Sequence, residues 1–147
     1  MTKQTSESDI ALPVQWQDLV RASRSARAAA YAPYSKYSVG AAVLLDDGRV
    51  FSGCNVENAS FGLTICAERV AATSAIAAGG RDIAAVCISL TGTPVPCGAC
   101  RQFLYEFNPQ MVVLLDDLTS ASEALEADTA PEVTRLDMLL PRGFRLT

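Results

Sequence analysis

Residues 66–80 read CAERVAATSAIAAGG, and residues 96–100 read PCGAC. The first stretch predicts an alanine-rich helix that starts beside Cys66 and ends at its paired glycines. The second places Cys97 and Cys100 three residues apart, so both thiols face one side at the start of another helix. Because Cys66 belongs to a separate element, the three thiols must converge from two parts of the chain, which excludes a compact zinc finger.

Three cysteines and one glutamate form a chemically coherent set. Three thiolates bind Zn²⁺ and leave its fourth tetrahedral position open, which is the arrangement of a catalytic site. Glu68 is then the natural carrier of a proton between a metal-activated water and a substrate nitrogen. Cys66 and Glu68 lie about 200° apart on a regular helix, so they share a pocket only over the helix N-terminus. The partial positive charge of two helix N-termini would offset the negative charge of the thiolates.

The composition excludes several classes of site. The 147-residue chain has no histidine, which excludes a Ser-His-Asp triad, Cys-His catalysis and any histidine-liganded metal. A metal must therefore use Cys, Asp or Glu. The length, 50% hydrophobic content and 19% charged content indicate one globular domain over residues 1–147.

Charge and cysteine usage bear on partners and compartment. The five cysteines are odd in number and the polar N-terminus holds no apolar run, so we expect a reducing cytoplasm and no membrane association. The net charge of −4 reflects the acidic segment 116–137, which we expect to be an insertion that forms a surface helix or a mobile loop. No basic stripe with interleaved aromatics is present, so no nucleic-acid partner is expected. We expect residues 1–12 to be a mobile tail.

Hydrophobic periodicity predicts the order of the elements. An amphipathic helix spans 15–31, with Arg21, Arg24 and Arg27 on solvated faces. Cys54 and Cys87 fall in apolar strands and are assigned to the core. The alternation predicts an α/β fold with a mixed sheet, in which right-handed crossovers join parallel strands. The remaining predicted elements are strands 39–45 and 50–56 joined by a hairpin turn, helix 66–78, strand 83–90, helix 97–107 and strand 111–115.

A second candidate site lies at the end of the second strand. Asn55 and Glu57 alternate with Val56, so their side chains point to one face, where an amide and a carboxylate could hold a diol. A polar strand edge is the alternative interpretation, and the neighbouring cysteine motif favours the diol site.

At these residues the chain resembles the small homotetrameric cytidine deaminases, which belong to the zinc-dependent cytidine and deoxycytidylate deaminases. Zinc deaminases carry His or Cys, then x-Glu, followed later by Pro-Cys-x-x-Cys, and this sequence has the Cys version. The similarity covers most of residues 31–105 and the C-terminal tail. It rests on Tyr34 to Tyr37, Val39 to Ala42, Cys54 to Ala59, Thr64 to Arg69, Pro96 to Gln102 and Leu139 to Pro141.

The resemblance implies a three-layer α/β/α sandwich with about five strands, the fifth near 132–135. It also implies one Zn²⁺ per chain and a homotetramer with shared active sites. It implies hydrolysis of cytidine and 2′-deoxycytidine to uridine and 2′-deoxyuridine with release of ammonia, as in pyrimidine salvage, with the nucleoside as the small-molecule partner. The implied roles are zinc ligation by Cys66, Cys97 and Cys100, proton transfer by Glu68, substrate contacts by Asn55, Glu57, Ala67, Tyr37 and Phe144, and support of the thiolates by Arg69 and Gln102.

The sequence also departs from the family pattern and leaves alternatives open. Tyr37 stands where relatives usually have Phe, Met138 stands where a Glu is common, and the acidic segment is longer than usual. A deaminase of a modified cytosine nucleoside, of the blasticidin type, is one alternative, disfavoured by the intact Asn-x-Glu. A non-catalytic structural zinc module with Glu68 as fourth ligand is another, and editing of polynucleotide cytosine is a third.

Overall fold

A computed structural model describes residues 12–119 and 130–146. Five strands form one sheet in the order β2-β1-β3-β4-β5. The elements are α1 (Val14–Arg27), β1 (Gly40–Leu45), β2 (Val50–Cys54), α2 (Ala67–Ala77), β3 (Ile83–Leu90), α3 (Gly98–Tyr105), β4 (Val112–Asp117), β5 (Glu132–Arg135) and α4 (Leu136–Leu139), with a short 3₁₀ turn at Phe61–Leu63.

The sheet is mixed, as the sequence predicts. β1 pairs antiparallel with both β2 and β3, and β3 pairs parallel with β4 through the crossover that contains α3. β5 adds an antiparallel edge to β4. The tight turn between β1 and β2 has Gly48 at φ 91°, a conformation that glycine adopts without steric cost.

The two faces of the sheet are covered by different helices. Along β1, Ala42 and Leu44 point towards α1, whereas Ala41, Val43 and Leu45 join the core beneath α2, α3 and α4. Alternate residues of a strand face opposite sides of a sheet, and here both sides are apolar. Each fully buried Val, Leu or Ile side chain in these cores stabilises the fold by roughly 1.5–3 kcal/mol. The predicted three-layer α/β/α sandwich is confirmed.

Helix α2 lies unusually close to the edge strand β2. A Cβ atom on Gly53 would sit 2.6 Å from the backbone nitrogen of Ala71 and 2.9 Å from the carbonyl oxygen of Ala67. Only glycine fits at this contact, and the buried face of α2 is lined by Ala71, Ala72 and Ala75. Small residues on both elements therefore fix how far the start of α2 stands from the sheet.

The prediction that the α1 arginines are solvated is wrong for Arg24. Its guanidinium donates to both carboxylate oxygens of Asp116, over 2.8 and 2.7 Å, and the two side chains are only 7% and 1% exposed. Ser89 donates to the same carboxylate over 2.6 Å, and Ser23 is hydrogen-bonded to Ser89. The reason is tertiary: Asp116 lies near the end of the buried strand β4, where the side chain of Arg24 reaches it from α1.

Other sequence predictions need smaller corrections. Arg27 is partly buried and donates to the carbonyl of Ser38, whereas Arg21 is solvated as predicted. Cys87 is buried in the core, but Cys54 is only partly buried because β2 is an edge strand.

The acidic segment 116–137 is not one loop, because its two ends lie in β4, β5 and α4. Its residues 120–129, and residues 1–11 of the expected tail, lie outside the described residues. None of the helices in the described part of the chain has the length and apolar character to cross a membrane.

Candidate metal centre and active site

Two helix starts meet at the candidate site. Cys66 is the N-cap residue of α2 and Cys97 is the N-cap residue of α3, and neither helix has a side-chain cap. Cys100 follows one turn into α3 and is fully buried. The crossover from β3 and the tight packing of α2 on β2 bring these N-termini together, as the spacing of the cysteines predicts.

The three thiols have the geometry of a metal tripod. The sulfur atoms of Cys66, Cys97 and Cys100 all lie within 4.8 Å of one another, and the Cys66 and Cys97 sulfurs are 3.8 Å apart. Zn–S bonds of about 2.3 Å at tetrahedral angles require sulfurs about 3.8 Å apart. Among the described residues the cluster consists of these three groups, so the donor set fits Zn²⁺ with one position left for a non-protein ligand.

Glu68 stands beside the tripod and is nearly inaccessible. It lies in the first turn of α2 and is 4% exposed. Burial raises the pKa of its carboxyl to about 7, and the neighbouring charge of Cys66 acts in the same direction. A buried carboxyl that titrates near neutral pH is suited to accept and return a proton.

Arg69 provides positive charge at the thiols. Its Nη2 donates to the sulfur of Cys66 over 3.5 Å, and its Nε is buried without a hydrogen-bond partner among the described residues. The hydrogen bond from Cys100, together with Arg69, lowers the pKa of Cys66 to about 5. The thiol set therefore holds negative charge at neutral pH, and the guanidinium of Arg69 places a positive charge beside it.

Loop 31–38 is held against the site by Asn55. The side-chain oxygen of Asn55 accepts from the backbone N–H of Val39 over 2.9 Å, and its amide nitrogen donates to the carbonyl of Tyr37 over 2.7 Å. The hydroxyl of Tyr37 lies beside Gly92, in the connection that leads to Cys97. Asn55 therefore positions the aromatic residue that the sequence assigns to substrate contact.

Glu57 is fixed by a residue that sequence reasoning missed. Its carboxylate accepts hydrogen bonds from the backbone N–H groups of Tyr34 and Ser35 and from the Ser35 hydroxyl. These bonds, the Ser35 hydroxyl first, lower its pKa from the ordinary value. The carboxylate borders a cleft of about 410 Å³, a size typical of small-molecule sites. The cleft is lined by Tyr34, Ser35, Glu57, Asn58, Phe61 and Thr64.

The other residues that the resemblance assigns to the site are Ala67, Phe144 and Gln102. Ala67 is fully buried at the start of α2, so it offers backbone rather than side chain to the pocket. Phe144 is 67% exposed, and its carbonyl accepts a hydrogen bond from Gln102 over 2.9 Å. Gln102 thus contacts the C-terminal tail, and its role beside the thiols stays a prediction. Arg101, which the sequence did not single out, also contacts the C-terminal segment.

Comparisons with known proteins agree with this site. Residues 14–116 match the family described as the cytidine and deoxycytidylate deaminase zinc-binding region. A cytidine deaminase of Mycobacterium tuberculosis is 50% identical over 135 residues, covering 90% of this chain and 92% of the relative. One from Sporosarcina psychrophila is 45% identical over 131 residues, covering 87% and 90%.

Solved structures show the same similarity. The crystal structure of a cytidine deaminase from Burkholderia pseudomallei has a TM-score of 0.76 and 45% sequence identity, and the match covers 86% of this chain and 97% of that one. That from Mycobacterium leprae has a TM-score of 0.71 and 36% identity, covering 88% and 100%. With a thiol tripod that suits zinc and a matching region that spans most of its length, the chain belongs to the cytidine and deoxycytidylate deaminase family of zinc-dependent hydrolases.

Proposed function

We propose that this protein hydrolyses cytidine and 2′-deoxycytidine to uridine and 2′-deoxyuridine with release of ammonia, in the salvage of pyrimidine nucleosides. The observation that carries the proposal is the buried carboxyl of Glu68 beside three converging thiols. The relatives named cytidine deaminase, which match most of the chain, support the same substrate class.

In this proposal Cys66, Cys97 and Cys100 hold Zn²⁺. When bound, the metal supplies a Lewis acid that lowers the pKa of a water molecule. Glu68 takes one proton from the attacking water and delivers it to N3 of the pyrimidine. It then moves the remaining hydroxyl proton from the oxygen on C4 to the departing amino group, which leaves as ammonia. Because Glu68 is buried, the carboxyl changes its charge easily near neutral pH, which both steps require. Arg69 limits the electron density of the thiolates by donating to Cys66.

Substrate orientation follows from the loop contacts. Glu57 remains ionised and is held by three donors on loop 31–38, so its free lone pairs can accept from sugar hydroxyls. Asn55 holds the end of the same loop through Tyr37 and Val39, and its second amide hydrogen is available to the sugar. Tyr37 then offers its ring to the base.

The test is ammonia release from cytidine, deoxycytidine and single-stranded DNA by the purified protein, compared with the Glu68→Gln variant. We expect turnover of both nucleosides and none of the polynucleotide. Glu68→Gln should keep about one zinc per chain but lose nearly all turnover, because metal binding and proton transfer are separate tasks. A zinc-free variant would identify Glu68 as a fourth ligand and favour a structural zinc module.

We further propose a cytoplasmic homotetramer whose subunits complete one another's sites. The cleft beside Glu57 is open, and its lining includes the large aromatic side chains of Tyr34 and Phe61, each more than half exposed. A second copy of the chain is a natural cover for such a surface. The three site cysteines must stay reduced to bind zinc, which supports a reducing compartment.

A mixing experiment tests the shared site. Chains with Glu68→Gln and chains with Phe144→Ala, each impaired alone, are combined in equal amounts and allowed to exchange subunits. If Phe144 acts on a neighbour's pocket, about a quarter of sites combine an intact Glu68 with an intact Phe144, and activity rises towards that fraction of wild type. If the mixture verifiably exchanges subunits but never exceeds the average of its parents, Phe144 does not act across the interface.

A further inference from the structure

Arg101 contacts two separate parts of the backbone with one side chain. Its Nε donates to the carbonyl of Pro96 over 2.8 Å, and its Nη1 donates to the carbonyl of Leu139 over 2.6 Å. Pro96 is buried and directly precedes the ligand Cys97, whereas Leu139 is the last residue of α4. The backbone N–H of Arg101 also donates to the carbonyl of Cys97 over 3.0 Å. Arg101 therefore holds the peptide groups on both sides of Cys97 and, at the same time, the C-terminal segment.

The chemistry of this contact is specific to arginine. A guanidinium group is a rigid planar fork whose donors point in different directions, so it can bind two carbonyls that a single ammonium group cannot reach together. The carbonyl of Leu139 lies in the last turn of α4, where carbonyls lack intrahelical partners and a cation is favourable. Within residues 12–119 and 130–146, Arg101 makes no ion pair with a carboxylate. Its charge is directed at the two carbonyls.

The C-terminal segment continues along α3 beyond this point. Gly143 lies so close to Tyr105 that a Cβ atom there would be 2.8 Å from the ring, and Gln102 holds the carbonyl of Phe144. One helix therefore carries two zinc ligands on its first turn and the docking groups for the tail on adjacent positions.

We propose that Arg101 is a positioning residue that couples the docking of the C-terminal segment to the placement of Cys97 in the zinc site. When the C-terminal segment dissociates from α3, the guanidinium of Arg101 loses its hydrogen bond to the carbonyl of Leu139. Its remaining bond to Pro96 is then less well oriented, and the peptide between Pro96 and Cys97 becomes more mobile. Zinc is then released faster. This inference rests on the proposed zinc site, but it concerns retention of the metal and not the deamination step.

The experiment measures transfer of zinc from the loaded protein to an excess of a chromogenic chelator, and in parallel the tryptic cleavage of the tail after Arg142. Arg101→Met should release zinc about tenfold faster, the lower end of effects seen for groups that orient metal ligands, and should expose the tail to trypsin. Arg101→Lys, which keeps the charge but loses the fork, should fall between this variant and wild type. Arg81→Met is the matched control, since Arg81 also donates to backbone carbonyls but lies at the far end of α2.

A double-mutant cycle tests the coupling itself. Gly143→Ala should push the tail off Tyr105 and accelerate zinc release when Arg101 is present, and should add little in the Arg101→Met background. Equal acceleration in both backgrounds would overturn the coupling, as would wild-type zinc release by Arg101→Met. If Arg101→Met fails to fold, the same cycle is run with Arg101→Lys. A wild-type protein that retains zinc and shows the coupling but releases no ammonia from cytidine would overturn the proposed function alone.

Discussion

Replacing Arg24 by methionine should destabilise the protein, because the carboxylate of Asp116 stays buried without its cationic partner. Asp116 is 1% exposed and accepts two hydrogen bonds from Arg24. The substitution removes both of these bonds and retains the one from Ser89. Removing one partner of a buried ion pair typically costs about 3–5 kcal/mol, and the retained Ser89 bond places the expectation near the lower end, about 3 kcal/mol. For a chain of this length each kcal/mol lowers Tm by about 2–4 °C, so the expected decrease is about 6–12 °C.

The assay is thermal unfolding of zinc-loaded protein at one fixed concentration, because bound metal and subunit association both change Tm. Arg21→Met is the matched control on the same helix. Its partner Asp18 and Arg21 itself are about 60% exposed, and such surface pairs contribute about 0.2–1 kcal/mol. Adding Asp116→Asn to Arg24→Met should recover part of the lost stability, since the unpaired charge is removed. Equal effects of Arg24→Met and Arg21→Met, or a double variant less stable than Arg24→Met, would refute the buried-charge explanation.

Three further outcomes follow from the site. Arg69→Ala should lower turnover while zinc, measured by metal analysis, stays bound, because the effect is on the electron density of the thiolates; unchanged turnover would mean that the helix N-termini balance the charge. Gly53→Ala should cost about 1–3 kcal/mol by forcing α2 away from β2 and should reduce turnover with it, whereas Gly62→Ala, where a Cβ meets nothing within 4 Å, should do neither. The pKa of Glu57 is lowered, so its carboxylate stays charged as pH falls below its ordinary range, and KM should be constant from neutral to mildly acidic pH. KM should rise only when acid protonates this carboxylate. Ser35→Ala removes the hydrogen bond that lowers the pKa of Glu57 most, so in this variant the rise in KM should begin at a higher pH than in wild type. An unchanged dependence of KM on pH would contradict the role of Glu57.

The elements that depend on local pattern could be predicted closely from the sequence. The strand Ile83–Leu90 has the predicted bounds, whereas the strand Glu132–Arg135, which is mostly exposed, was expected from the family resemblance alone. Buried runs of β-branched residues and glycine-containing turns encode these features within a few residues of chain, so no tertiary information is needed. The thiol tripod could be predicted for a different reason. Three cysteines at two helix starts, with one adjacent carboxylate, are the groups that a catalytic zinc site with an open position requires.

The features that sequence reasoning missed all depend on a distant partner. The sequence predicts a solvated Arg24 because its partner Asp116 lies far along the chain, in a segment that was expected to form a surface helix or a mobile loop. Cys54 looked buried because its strand is apolar, but only the order of the strands shows that β2 is an edge. Ser35 binds the side chain of Glu57, and Arg101 binds backbone carbonyls. These partners become neighbours only after folding. The hydrophobic periodicity of a helix or strand indicates which of its faces is buried, but it does not identify the residues that pack against that face.

The proposed zinc site also explains a feature of α2 and α3 that would otherwise be unfavourable. Each helix begins with a cysteine that makes no capping hydrogen bond, where Ser, Asp or Asn would stabilise the helix by about 1 kcal/mol. The first-turn N–H groups therefore keep their partial positive charge for the thiolates, and two such termini point at one anionic cluster. A capping side chain would satisfy these donors and weaken their effect on the site. The two uncapped starts, the buried carboxyl of Glu68 and the guanidinium of Arg69 are therefore parts of one electrostatic arrangement, in which local helix stability is given up so that three thiolates can share a small space.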